Sequence, residues 1–173
     1  NKLIVSTLIV FGVSVQASEW QHYGGDAGGT RFVSHGEITP ENVTDLEIAW
    51  LHQTGDLKTK PMRETATEVT PILVEDSLVF CTPFNRIIAL DPGTGAEKWS
   101  FDPKLDLDIN PANQYVCRGV TYWQDPAAEA GTACTSRIFM ATNDARLISV
   151  DAKDGKPCAD FSDKTSATPT PGQ

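Results

Sequence analysis

The sequence has few of the nitrogen and sulfur side chains that bind zinc. Histidine occurs three times, at His22, His35 and His52, and none lies near a cysteine. Cys81, Cys117, Cys134 and Cys158 form no Cys-x-x-Cys pair, so zinc-ligand spacing is absent. Positive charge is scarce as well. The 14 Lys and Arg face 23 Asp and Glu, a formal net charge of −9. Such a chain lacks the basic face needed to displace counterions from nucleic acid or from an anionic membrane surface, and no nucleic-acid partner is expected. Apolar residues at helical period are missing too. They come instead in short runs bounded by turn residues, the pattern of strands.

Only one apolar run is long. Lys2 precedes an unbroken apolar and small-residue stretch from Leu3 to Val15, and Val15-Gln16-Ala17 supplies the small residues of a signal-peptidase site. Residues 1–17 are therefore expected to be a signal peptide cut after Ala17. A run of 13 residues, Leu3 to Val15, is short against the roughly 20 that cross a bilayer core. The second reading, the end of a longer membrane helix, stays open because the first residue is Asn1 rather than Met. An exported chain meets an oxidising compartment, where disulfides persist. Four cysteines allow three pairings and sequence alone does not choose; Cys134 with Cys158 is the pair we expect. Residues 18–162 hold the folded part, with hydrophobic residues at 40 % of the whole sequence, a globular value. Residues 163–173 read as a disordered tail or end, because Thr165–Gln173 is rich in Thr and Pro and has almost nothing to bury.

Strands are expected at Thr70–Val74, Ser77–Thr82, Arg86–Leu90 and Glu97–Phe101, then at Gly119–Trp123, Arg137–Thr142 and Arg146–Val150, with a weak one near Cys158–Phe161. The one segment of helical flavour is Thr39–Leu46, with Thr39 as cap and Pro40 in the first position. The two sets of strands are copies. Sliding the chain by 60 places lays Thr82 on Thr142, Arg86 on Arg146, Ile88 on Ile148, Asp91 on Asp151, Gly95 on Gly155 and Phe101 on Phe161. A repeated four-stranded unit of about 40 to 50 residues is the mark of a β-propeller blade. The longer spacing is explained by an insertion at Gln124–Ser136. Such a ring closes only with roughly four to eight blades. This chain supplies about two, plus one or two closing strands from Leu46–Gln53, so it reads as an all-β fragment of a propeller.

Ala89-Leu90-Asp91-Pro92-Gly93-Thr94-Gly95-Ala96-Glu97-Lys98-Trp99 resembles the tryptophan-docking repeat of the quinoprotein dehydrogenases. Asp91 and Thr94 can bond backbone amides in a tight turn, Gly95 supplies a positive φ, and Trp99 is large enough to dock between blades. The second copy keeps Asp151 and Gly155 but has no Trp at the docking position. The segment Val116-Cys117-Arg118-Gly119-Val120-Thr121-Tyr122-Trp123 resembles the one that, in these enzymes, brings an Arg against the carboxylates and quinone oxygens of pyrroloquinoline quinone. With Glu68–Ile72, Asn143–Leu147 and Trp20–Arg31, the similarity runs from about residue 19 to 161 and is greatest to the membrane-type quinoprotein glucose dehydrogenase branch.

The resemblance implies an eight-bladed propeller that oxidises a small alcohol or sugar, with a quinone or cytochrome as electron acceptor, in the periplasm and in association with the membrane. It implies Glu68, Arg118 and Thr142 as cofactor contacts. Independently, Glu68 and Arg118 each precede the first strand of a blade while Thr82 and Thr142 each end the second, places that lie at one end of an up-and-down blade. Arg118 would act as a bidentate clamp on a carboxylate and Thr142 as a neutral donor, whereas Glu68 must orient a neighbour or accept from a protonated group. Where the glucose-oxidising branch usually has a His three residues before the Cys, this chain has Gln114, which puts glucose as substrate in doubt. The catalytic Asp, the quinone-contacting Lys and the ligands of a Ca²⁺ or Mg²⁺ ion are expected outside this chain, so no catalytic or metal residue is assigned in it. A different class, a non-catalytic propeller scaffold binding protein partners at the cell envelope, would share the docking repeat but has no reason to carry Cys117-Arg118-Gly119 with Glu68.

Two other patterns carry no chemistry. Asp106–Asn110 looks like half a calcium loop, yet Pro111 and Cys117 occupy the places of the obligatory Gly and Glu. The glycines of Gly24–Gly29 and Gly93–Lys98 link no strand to a helix and are turns.

Overall fold

A computed structural model describes residues 20–34, 36–57, 64–108, 111, 114–129 and 131–162. The expected signal peptide and the expected tail from residue 163 lie outside the described residues. Among the described residues nine strands occur in chain order: β1 Thr65–Thr67, β2 Ile72–Val74, β3 Ser77–Cys81, β4 Ile87–Leu90, β5 Glu97–Phe101, β6 Tyr115–Cys117, β7 Thr121–Gln124, β8 Ser136–Ala141 and β9 Leu147–Asp151. They form three sheets. The antiparallel meander β2-β3-β4-β5 is one blade, β7-β8-β9 is a second, and β1 pairs in parallel with β6 in a separate two-stranded ladder.

Burial follows strand position. In β3, Ser77, Val79 and Cys81 turn inward while Leu78 and Phe80 are half-buried, the period-two pattern of a strand with unequal faces. All four residues of β4 are buried, as expected of an interior strand covered on both faces. On the edge strand β5 only Trp99 is buried. Ile72, Val74, Val79, Ile87 and Ala89 of the first blade share one apolar core with Ile138, Met140, Val150 and Ala152 of the second. Thus the two blades stack face on face.

The copies match bond for bond. Thr82 N–H donates to Arg86 O at 2.9 Å, as Thr142 N–H does to Arg146 O at 2.9 Å. Gly95 N–H donates to Asp91 O at 2.8 Å, and Gly155 N–H to Asp151 O at 2.9 Å. Both glycines have a φ of 71°, which L side chains rarely adopt. Each of these turns also receives a tryptophan from the chain before it. A Cβ on Gly95 would lie 2.6 Å from Cε3 of Trp50, and one on Gly155 would lie 3.0 Å from Cδ2 of Trp99. Trp50 adds a hydrogen bond from Nε1 to Pro92 O at 3.0 Å. Trp99 is held by packing, since its Nε1 has no partner among the described residues.

Three expectations change. The weak strand at Cys158–Phe161 is instead the short helix α1, Ala159–Ser162. Pro157 has no N–H to extend a ladder and makes only an isolated bridge to Val150. The turn then fixes itself through Arg137 to Asp160 at 2.6 Å and Phe139 against Phe161. Leu46–Gln53 forms no strand, although Trp50 within it docks. The helical flavour of Thr39–Leu46 shrinks to a 3-10 turn at Val43–Asp45, with Asn42 in the cap position and no side-chain cap bond. Disulfides join Cys81 to Cys117 across 36 residues and Cys134 to Cys158 across 24. Closing loops of that length restricts the unfolded chain by roughly 3–4 kcal/mol each in the chain-entropy picture.

Candidate functional site

The ladder β1-β6 sets the site. Its parallel register pairs Thr65 with Tyr115, Ala66 with Val116 and Thr67 with Cys117. The next residues along the two strands are Glu68 and Arg118, so the ladder delivers this pair side by side. Their side chains meet, with Arg118 Nη2 2.9 Å from Glu68 Oε2. Gln114, standing where the glucose-oxidising branch usually has His, donates from Nε2 to the other oxygen, Oε1, at 3.1 Å. Both carboxylate oxygens of Glu68 are thereby engaged. The Arg118 side chain is 78 % exposed and has no other partner among the described residues. A guanidinium carries five N–H donors, so most of its hydrogen-bonding edge faces outward.

Thr142 stands at the same end but does not touch this pair. It ends the second strand of its blade and is buried, and its hydroxyl donates to the Asp144 carboxylate while accepting from Arg146 N–H at 3.0 Å. Burial pushes the Asp144 carboxyl up, but the bonds from Arg146 and then Thr142 outweigh it and hold it below the ordinary range. Thr82 closes the equivalent turn, accepting from Arg86 N–H at 3.1 Å. The link from Thr142 to the pair runs through its neighbour. Asn143 Nδ2 donates to Val116 O at 3.3 Å, and Asn143 N–H donates to Asn85 Oδ1 at 2.8 Å. Asn85 is buried at a φ of 57°, so its side chain ties one blade's turn to the next. Sequence reasoning missed this clasp, because the 60-residue shift lays Asn85 on Ala145 and Asn143 on Pro83. The clasp exists only between copies.

In the docking turn, Asp91 Oδ1 accepts from Gly93 N–H at 3.1 Å, Thr94 N–H at 2.8 Å and the Thr94 hydroxyl at 2.8 Å. The Thr94 hydroxyl, then the Thr94 amide, hold the Asp91 carboxyl below its usual value. Asp151 does similar work in the second copy and adds a bond from Cys134 N–H to Oδ2 at 2.6 Å, beside the Cys134–Cys158 bridge. These residues shape the blades and offer no free donor.

A hollow of about 450 Å³ is lined by Phe84, Arg86, Asp102, Lys104, Leu105 and Leu107. Its cations are already matched, Arg86 by Asp56 and Lys104 by Asp102 at 2.7 Å. Among the described residues no group of three or more His, Cys, Asp or Glu is placed to hold a metal ion. Among the described residues at this end of the blades, the outward edge of Arg118 is open to solvent and carries donors that could meet an anion.

A four-stranded blade followed by a three-stranded one, stacked through tryptophan on glycine, defines part of a β-propeller domain. The family described as PQQ: Glucose/ethanol/alcohol dehydrogenase, beta-propeller domain, matches residues 20–168, and the chain belongs to that family. Quinoprotein glucose dehydrogenase A of Acinetobacter calcoaceticus is 39 % identical over 159 residues, which is 85 % of this chain and 20 % of that protein. Quinoprotein glucose dehydrogenase of Escherichia coli (strain K12) is 40 % identical over 156 residues, 87 % of this chain and 19 % of its own length. Among solved structures, the quinohemoprotein alcohol dehydrogenase from Comamonas testosteroni superposes with a TM-score of 0.63 at 26 % identity, over 81 % of this chain and 18 % of that one. The chain thus spans about a fifth of the length of these relatives.

Proposed function

We propose that this chain is the N-terminal portion of a pyrroloquinoline quinone-dependent dehydrogenase that oxidises a small alcohol or sugar in the periplasm, and that its own share is to grip the cofactor. The observation that carries the reading is the Arg118 guanidinium, oriented by Glu68 at 2.9 Å with its remaining donors open. The chemistry of that donor set fits the cofactor. When bound, the quinone accepts the hydride that leaves the substrate carbon. A tricarboxylated ligand needs a cation, and an arginine edge can meet a carboxylate with two parallel N–H bonds. Glu68 keeps its bonds to Arg118 and Gln114, which fixes the guanidinium and masks a negative charge that would otherwise repel the ligand. Thr142 contributes its position at the same rim. Its hydroxyl becomes a donor to the ligand only by releasing Asp144.

The Ca²⁺ or Mg²⁺ ligands, the base that takes the substrate hydroxyl proton, and the surface that passes electrons to a quinone or cytochrome belong to the rest of the protein in this proposal. The apolar run Leu3–Val15 and the likeness to the glucose dehydrogenases support a reading of export to the periplasm and membrane association. Gln114 in the usual place of His argues for a substrate other than glucose.

The test is cofactor titration of the full-length protein. Arg118→Ala removes a charge-assisted contact, which should weaken cofactor affinity by roughly ten-fold to a hundred-fold while leaving the thermal melt of the apo protein nearly unchanged. An unchanged titration would remove the assignment.

A further inference from the structure

We infer that the Cys81–Cys117 disulfide is the positioning element of the Arg118 grip, setting the register of the ladder that carries it; the inference rests on the cofactor reading of Arg118 above. The bridge ends one residue before Arg118 and joins that segment to the last residue of β3.

The ladder it serves is weak by construction. Strands β1 and β6 have three residues each, pair only with one another, and belong to neither blade sheet. A two-stranded sheet of this size is marginal in water. The sequence of β1 does not set the register either, because Thr65-Ala66-Thr67 has no large apolar side chain to distinguish one face from the other. Yet the register decides whether the site exists. A slip of one residue would carry Arg118 about 3.3 Å along the strand from Glu68, far enough to break the bond between them.

Several contacts oppose such a slip. Tyr115 is buried, and its hydroxyl donates to Leu107 O at 2.7 Å. Val116 O receives Asn143 Nδ2 at 3.3 Å. Cys117 is 6 % exposed and Cys81 only 1 %, and Cys81 pairs with Ile87 inside the four-stranded sheet. Beyond the main chain itself, the disulfide is thus the one covalent cross-link between this ladder and a blade interior among the described residues, and it acts at the ladder residue nearest Arg118. The Cys134–Cys158 bridge spans β8 and β9 within the second blade and has no part in the ladder.

The experiment compares four variants of the full-length protein by titration with pyrroloquinoline quinone, at a temperature where each is folded. Cys81→Ala with Cys117→Ala should raise the dissociation constant roughly ten-fold, the loss of one charge-assisted contact. Cys134→Ala with Cys158→Ala should lower the melting temperature and leave the dissociation constant within about two-fold. In an Arg118→Ala background, removal of the Cys81–Cys117 bridge should have almost no further effect on affinity, because both changes act through one contact. A merely stabilising bridge would move the melt alone. Unchanged affinity in the Cys81/Cys117 variant, or an equal loss with and without Arg118, would overturn the inference. Unchanged affinity in Arg118→Ala by itself would instead remove the reading beneath it. If the Cys81/Cys117 variant fails to accumulate, the Cys134→Ala/Cys158→Ala protein, folded in its oxidised form and then reduced, asks the same question with only the Cys81–Cys117 bridge left to break. Reduction should weaken binding roughly ten-fold, and no change would count against the inference.

Discussion

Gly155→Ala should separate backbone strain from blade packing. The residue has a φ of 71°, where an alanine costs roughly 1–2 kcal/mol. Its new Cβ would also lie 3.0 Å from Cδ2 and 3.1 Å from Cζ3 of Trp99, and closer still to Cε3. Trp99 is 9 % exposed, so the ring has little room to retreat, and overpacking of this kind costs roughly 1–3 kcal/mol more. The expected total is roughly 2–5 kcal/mol. Gly131→Ala supplies the comparison. Its φ is 85°, but nothing lies within 4 Å of the added carbon, so only the backbone cost of roughly 1–2 kcal/mol applies. Urea unfolding of the full-length protein, followed by tryptophan fluorescence, measures both. In a Trp99→Leu background the two substitutions should cost nearly the same, because the extra cost at Gly155 comes from the indole ring. Equal costs in the presence of Trp99 would refute the idea that this turn is a socket for the tryptophan of the neighbouring blade.

Asn85→Gly keeps the positive φ but removes the acceptor of Asn143 N–H, and it should destabilise the protein by about 1–3 kcal/mol in a thermal or urea melt; a neutral result would mean that the clasp contributes nothing. Acid should weaken the turn at Thr142. Asp144 has a folded pKa below its unfolded value, so its stabilisation is complete above the ordinary aspartate pKa of about 3.9 and is lost as pH falls through the lower folded value. Asp144→Asn should remove about 1 kcal/mol at neutral pH and flatten the decline in melting temperature on acidification below about pH 4. An unaltered acid profile in that variant would show that other carboxylates govern the limb.

Much of the architecture was legible because its determinants repeat. Asp91 with Gly95, and Asp151 with Gly155, recur at one spacing because each pair builds the same turn. The equivalent strands β4 and β9 announce themselves through Ile87–Leu90 and Leu147–Val150. The ladder of β1 with β6 was hidden, since three residues such as Thr65-Ala66-Thr67 carry no hydrophobic pattern and their pairing depends on a partner 50 places away. The fourth strand of the second blade was misread because Phe161 falls on Phe101 in the 60-residue shift, while Pro157 and Ala159 remove the ladder donor and the docking tryptophan. Glu68 and Arg118 stood out through their flanking residues, but the reason they meet is the parallel register. The Asn85–Asn143 clasp required coordinates, because its two members come from non-equivalent positions of different copies.

The structure of the full-length protein loaded with cofactor puts the grip to direct proof. A cofactor carboxylate should lie roughly 2.7–2.9 Å from the guanidinium of Arg118, with Glu68 still bonded to the same group from behind. Finding the quinone elsewhere in the ring, with Arg118 bound to Glu68 and solvent alone, would contradict it.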